Sequence, residues 1–354
     1  MTALSTRERL GFAAAALFTA LAAVLHYMSD EPGTLAFLAA TAALCGVAWM
    51  VSFGTEQLGE SFGPAVTGVL QTTLGNLPEF FVVIFALKAG QTTVATTSIV
   101  GSILANALLV LGLTIVVGAR TSQDGVMRFA KRLPQDTATL LFSAVFIIVM
   151  TAVSMQTADR ASRHAEAISI VGAICLLAVY VAWVIPYLRS DGAGDPGHRD
   201  APRLPIAVSA VVLAVAGIGA AFVSDWFIAA LEPAMDALGL SEAFAGLVVV
   251  AIAGNAAENA TALILAAKGQ NDLAMSVVKN SVAQIAVFLF PALVLCSLLF
   301  ATTLTFAMAP IYAVALAFTA IAMWQITSDG EATMFEGLAL VATYVILGTI
   351  TLFE

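Results

Sequence analysis

Residues 75–90 read Gly-Asn-Leu-Pro-Glu-Phe-Phe-Val-Val-Ile-Phe-Ala-Leu-Lys-Ala-Gly, and residues 254–269 read Gly-Asn-Ala-Ala-Glu-Asn-Ala-Thr-Ala-Leu-Ile-Leu-Ala-Ala-Lys-Gly. Glu79 and Glu258 lie 179 residues apart, and at that offset eight of the 38 positions from 75 to 112 are identical. The identities include Gly75/Gly254, Asn76/Asn255, Gly90/Gly269, Gln91/Gln270 and Ser102/Ser281. Alanine matches in Ala-rich segments carry little, but Gly, Asn, Glu and Ser recurring at one offset mark an internal repeat. Each Glu falls in the middle of an apolar run. A carboxylate at the bilayer centre costs at least about 2.5 kcal/mol, so it faces a cavity or a partner and marks a functional site.

The residues around each Glu suit a broken helix. Gly75 permits backbone geometry that other residues resist, and Pro78 fits near the start of a new helical segment. Interrupted helices at corresponding positions of two halves are the strongest sequence pointer to a transporter site. Asn76 and Glu79 are three residues apart, as are Asn255 and Glu258, so each pair shares a helical face. With the backbones of Gly75 and Gly254, the two halves offer two carboxylates and two amides to one central ion. The following span of each half adds Ser102 and Asn106, or Ser281 and Gln284. These serve as ligands or as interhelical hydrogen-bond glue, and both readings stand.

The composition agrees with a membrane protein. Of 354 residues, 60% are hydrophobic and 10% charged, with a mean hydropathy of +0.98. A soluble domain carries about a quarter charged residues. The 14 Lys and Arg against 23 Asp and Glu give a net charge of −9, which argues against nucleic-acid binding. Cys45, Cys175 and Cys296 sit in apolar runs and read as small buried hydrophobes. No catalytic Ser/Lys, paired Asp or His-x-x-x-His pattern lies in a span, so an intramembrane enzyme is not expected.

Runs of roughly 20 apolar residues predict eleven transmembrane helices at 10–28, 34–53, 63–88, 93–118, 137–156, 165–189, 204–230, 242–268, 272–299, 303–325 and 333–352. The first is read as a retained helix rather than a cleaved signal, because its apolar stretch is long and no clear cleavage site follows. The Gly-, Pro- and charge-rich stretch 190–203 is a flexible cytoplasmic linker. The organisation expected is an N-terminal helix in 1–32, a five-helix repeat in 33–189, and a second in 204–354. An odd number of spans per half inverts one half relative to the other.

Orientation follows from the loops. With the N-terminus inside, Arg7, Arg9, Arg120, Arg128, Lys131, Arg132, Arg189, Arg199, Arg203 and Lys268 are cytoplasmic. Lys88, Arg160 and Arg163 lie opposite, so the positive-inside rule places the N-terminus in the cytoplasm and the C-terminus outside.

Oxygen ligands without His or Cys select hard cations: calcium, magnesium, manganese or sodium. Two carboxylates neutralise one divalent ion, and calcium accepts the more flexible shell. The same pair is also neutral with one proton on each. An empty site carries two uncompensated charges, whereas a site holding a divalent cation or two protons can reorient. Charge balance therefore favours exchange at about two protons per divalent ion.

At these residues the sequence resembles the calcium/proton exchanger (cation/proton exchanger) family of the cation/calcium exchanger superfamily. The resemblance rests on Gly75-Asn76-Leu77-Pro78-Glu79 with Gly101-Ser102-Ile103-Leu104-Ala105-Asn106, and on Gly254-Asn255-Ala256-Ala257-Glu258 through Gln284 to Pro291. It implies one extra helix plus two inverted five-helix repeats, no cofactor, and calcium and protons bound in turn by Glu79 and Glu258. Sodium/calcium exchangers of the superfamily usually show Gly-Thr-Ser before the first Glu; Gly-Asn here favours the proton as counter-ion. The chain departs from the pattern at Asn259, where many members have His, and at Asn280-Ser281-Val282, where Gly-Ser-Ser is frequent.

It also departs at Lys279, a cation inside a span. Helical rotation turns Lys279 about 200° from Ser281, so it is expected to point away from the site and snorkel to the cytoplasmic face. Were it to reach a Glu, it would favour monovalent exchange. The linker acids Asp191, Asp195 and Asp200 are mixed with bases and do not suggest a calcium sensor. Glu56, Glu60, Glu232, Asp236, Glu242, Asp329, Glu331 and Glu336 are expected at span ends or in loops, solvated. His26, His164 and His198 receive no role.

The reading is a calcium/proton antiporter of a prokaryotic-type cell membrane. The rivals are a sodium or potassium/proton antiporter on the same fold and, from another class, a cation channel. The expected partners are the lipid bilayer and inorganic cations. Self-association into a homo-oligomer is compatible with the sequence.

Overall fold

The computed structural model describes residues 4–28, 33–59, 70, 73–130, 132–190 and 203–354. The elements in chain order are α1 (Thr6–Met28), α2 (Thr34–Gly59), α3 (Leu77–Lys88), α4 (Thr92–Thr121), β1 (Val126–Arg128), α5 (Arg132–Thr157), α6 (Ala165–Ser190) and α7 (Ile206–Leu238). There follow α8 (Glu242–Gly254), α9 (Ala256–Ala267), α10 (Asn271–Ser297), α11 (Pro310–Thr327), β2 (Glu331–Thr333) and α12 (Met334–Leu352). Among the described residues nine helices are long and apolar enough to cross a membrane, and the bent pair α8–α9 raises the number to ten. Of the third expected span, 63–88, residues 63–69, 71 and 72 lie outside the described residues, as does most of the linker.

Two expected boundaries shift for local reasons. The span expected at 204–230 continues to Leu238, where Gly239 takes the left-handed conformation (φ 65°) that ends a helix. Glu232 and Asp236 are therefore helical, though still exposed. The span expected at 303–325 begins only at Pro310, a residue suited to a helix's first turn. The chain before it is pinned by side chains: Ser297 Oγ accepts from Leu304 N at 2.8 Å, and Ser169 Oγ accepts from Phe306 N at 3.0 Å. Cys175 is exposed on an outward helix face rather than buried, and Cys45 and Cys296 are half-buried.

The described chain forms two compact units. The first comprises residues 1–89, 181–240 and 253–257, and the second 90–180, 241–252 and 258–354. In the first, α2 packs along α1 and α7, with Phe12 edge-on to Trp49 and Phe53, and Phe37 against Phe227. Arg203, at the foot of α7, pairs with Glu8 at the start of α1 (2.7 Å), so the linker's end and the N-terminus share one side.

In the second unit α4 and α10 are the helices most enclosed by protein, whereas α6 shows much of its apolar surface outward, as lipid contact requires. The connection after α4 and the one before α12 pair as a short antiparallel ladder, Val126 with Thr333, Met127 with Ala332 and Arg128 with Glu331. Ala130 N donates to Asp272 Oδ1 (2.7 Å) at the start of α10. Three connections, all expected on the cytoplasmic side, are thereby tied to one face of this unit.

Backbone features recur at the offset of 179 seen in the sequence. α3 and α9 are 12-residue helices beginning at Leu77 and Ala256, and α4 and α10 begin at Thr92 and Asn271. Gly90 and Gly269 before them both take positive φ (78° and 72°), open only to residues without a Cβ penalty. Both helices then widen into a π turn, at Ala105–Val110 and at Ile285–Leu289.

Candidate ion-binding site

Both motif carboxylates sit in the first turn of a short helix, Glu79 in α3 and Glu258 in α9. The unpaired N–H groups and positive dipole end of a helix favour a negative charge there. The chain breaks just before each: residues 75 and 76 form a turn ahead of α3, and α8 and α9 meet at Asn255 with a bend of 61°. Broken backbone at membrane depth leaves carbonyls and amides free to face a cavity or an ion.

In the first unit, Glu79 (4% exposed), Asn76 and Asn255 are buried. Gly254 lies against Glu79 so closely that a Cβ added to it would stand 2.8 Å from Oε1 and 3.0 Å from Cδ. The structure thus brings Glu79, Gly254 and Asn255 together, with Asn76 and Gly75 in the turn before α3. Ser224 Oγ of α7 donates to the Pro78 carbonyl at 3.5 Å, and Cys45 Sγ of α2 donates to the Ala253 carbonyl at 3.6 Å. Cys45 was not expected at the site; a thiol in an Ala-rich helix gives no sign of which carbonyl it meets.

In the second unit, Ser281 Oγ donates a short hydrogen bond to Glu258 Oε2, and Ser281, Gln284, Ser102 and Asn106 are all buried. Asn106 turns its Nδ2 back to the Ser102 carbonyl at 2.9 Å, across the entrance to the π turn. The first half of the broken span crosses α4 backbone to backbone: a Cβ on Gly101 would fall 2.4 Å from the Leu247 carbonyl oxygen. That carbonyl accepts from Tyr344 Oη of α12 at 3.2 Å. Tyr344 is a second residue that sequence reasoning missed, although a Tyr in an apolar span needs a partner for its hydroxyl. Asn259 follows Glu258 on α9, half-buried, and Asn280 Nδ2 donates to Ser276 Oγ at 3.3 Å.

Lys279 corrects its expectation in part. It points away from Ser281's partner, but it does not snorkel: it is fully buried, and its Nζ donates to Thr327 Oγ1 at 2.6 Å. Among the described residues no carboxylate lies within ion-pair distance of it, and no group of three or more His, Cys, Asp or Glu is placed to hold a metal.

The sodium/calcium exchanger protein family model matches residues 32–187 and 208–353. The chain is 31% identical over 333 residues to a Ca2+/H+ antiporter, ChaA, of Bacillus subtilis, covering 92% of this chain and 93% of that one. It is similar to the solved structure of native YfkE, with a TM-score of 0.82 at 29% identity, over 97% of this chain and 100% of the other. The crystal structure of an H+/Ca2+ exchanger, CAX, shares the fold with a TM-score of 0.77 at 15% identity, over 98% and 93% of the two chains. A family match across both halves, joined to a relative alike along nearly its whole length, makes this chain a member of the calcium/proton exchanger family of the cation/calcium exchanger superfamily.

Proposed function

We propose that this chain is an antiporter exchanging calcium, or a similar divalent cation, for protons by alternating access, with Glu79 and Glu258 as the groups that carry either load. The observation that carries this reading is the pair of Gly-Asn-x-x-Glu breaks, each delivering a carboxylate to the first turn of a 12-residue helix. Asn76, Asn255, Ser102, Asn106, Ser281, Gln284 and the backbone at Gly75 and Gly254 complete the oxygen shell. The relatives named as Ca2+/H+ antiporters support the choice of cargo. The carboxyl pair binds one divalent cation or two protons, and only those neutral forms cross between faces.

The layout that serves this mechanism is a first helix followed by two inverted five-helix repeats, 33–189 and 204–354, eleven spans in all. It is supported by the recurring element starts and by a family model that fits each half. The N-terminus lies in the cytoplasm and the C-terminus outside. A monovalent cargo would be explained by Asn259 and by a Lys279 reaching a Glu; Lys279 bonds to Thr327 instead, which leaves Asn259 as its support.

The test uses purified protein in liposomes with an acid interior, to which calcium, magnesium, manganese, sodium and potassium are added outside in turn. Collapse of the gradient with calcium in the wild type, lost in Glu79→Gln and in Glu258→Gln while both variants stay folded, is the expected result. Normal exchange by either variant removes the paired-carboxylate reading. Gradient collapse with sodium or potassium alone moves the cargo to a monovalent ion, and uncoupled flux marks a channel.

A further inference from the structure

Lys279 is a buried lysine that the proposed mechanism does not use. Its side chain is 0% exposed, on α10, two residues before Ser281. Thr327 Oγ1 donates its own proton to the Met323 carbonyl at 2.6 Å, so towards Lys279 it is the acceptor. Thr327 is the last residue of α11. The final carbonyls of a helix lack intrahelical partners and form its negative end, which is where a helix favours a cation.

The acids on the elements around Lys279 do not cancel this charge. Asp272, two turns earlier on α10, accepts from Ala130 N, and Asp329 beyond α11 accepts from Glu331 N. Asp136 is half-buried beside Thr137 of α5, and Thr137 bonds to the carbonyl of Lys279 rather than to its ammonium. Lys279 and Ser281 are about 3 Å apart along the helix axis, with their side chains on opposite faces. The ammonium therefore acts on the Glu258–Ser281 site through its field and not through contact.

Resting on the ion-binding reading above, we propose that Lys279 is a specificity-determining charge. It weakens cation binding at Glu258 and Ser281 in proportion to the cation's valence, and so holds a divalent ion loosely enough to be released. Coulomb energy is linear in the cation's charge, so the effect on affinity multiplies once per unit charge. Packing effects have no such dependence.

The test measures KM for calcium, and inhibition by Tb3+ and Mn2+, with the full-length protein in liposomes. In Lys279→Met, KM for calcium is expected to fall about tenfold and the inhibition constant of Tb3+ about thirtyfold, which is about threefold per unit charge across a partly screened interior. Mn2+ moves with calcium. Lys279→Arg and Thr327→Val, which keep the charge, retain the wild-type ratio of calcium to Tb3+ affinity. If Lys279→Met does not fold, Lys279→Gln, with a neutral donor towards Thr327, gives the same reading. Equal fold-changes for calcium and Tb3+, or a change in kcat alone, make Lys279 a packing peg and overturn the proposal. Glu258→Gln separates the two readings. Calcium exchange that persists in it overturns the paired-carboxylate site, whereas its loss alongside equal fold-changes in Lys279→Met overturns the valence effect alone.

Discussion

Gly254 has no space for a methyl group, because the atoms a Cβ would meet belong to the carboxyl end of Glu79. The end of a side chain yields where backbone does not, so Gly254→Ala leaves the fold intact and moves the carboxylate. Transport at fixed calcium is expected to fall at least about tenfold, with Tm shifted by no more than about 2–4 °C; liposome flux and a thermal melt of the same preparation check both. Glu79 and Glu258 were legible from sequence because a carboxylate in an apolar run is costly and its repetition at one offset is hard to produce by chance. The hydroxyl that Ser281 offers Glu258 was legible too, as one of several oxygens on the right face. Lys279's partner was not: helical rotation turned the side chain away from the site, but Thr327 is 48 residues distant and one hydroxyl among many.

Among the elements of the second unit, α4 and the first half of the broken span meet backbone to backbone. There Gly101 faces the backbone of Leu247 and a Cβ would come within 2.4 Å of its carbonyl oxygen. Small residues let membrane helices pack this closely, and dispersion at short range is what holds them. Gly101→Ala must push two backbones apart. It is expected to destabilise the protein by about 1–3 kcal/mol and lower its Tm, in contrast to the milder Gly254→Ala. Thermal melts of the two variants side by side give the comparison.

The helices themselves were legible from apolar length, and the break at Asn255 from its Gly-Asn pair. The π turns were not, since they differ from an α-helix by one residue per turn and have no composition of their own. Neither were β1 and β2, which are three residues long and are defined by each other across the chain.

At the scale of the whole molecule, the sidedness read from Lys and Arg can be checked at the two termini. Ser5 and Phe353 flank the first and last helices, and both are exposed. A Cys at Ser5 is expected to react with an impermeant thiol reagent only from the cytoplasm, and a Cys at Phe353 only from outside, in a background lacking Cys45, Cys175 and Cys296. Labelling of both from one side would mean an even number of crossings and remove the eleven-span layout.

The wide turns at Ala105–Val110 and Ile285–Leu289 bear on the ancestry of the chain. A π turn takes in one residue more than the α turn it interrupts, so both halves carry an extra residue in the same turn of the same helix. A single insertion that preceded the doubling of a gene accounts for both, where separate insertions require a coincidence. On that account the forebear is a polypeptide of a single repeat that already possesses the wide turn. On the inverted layout proposed above, such a forebear enters the bilayer in both senses and pairs with an oppositely oriented copy of itself.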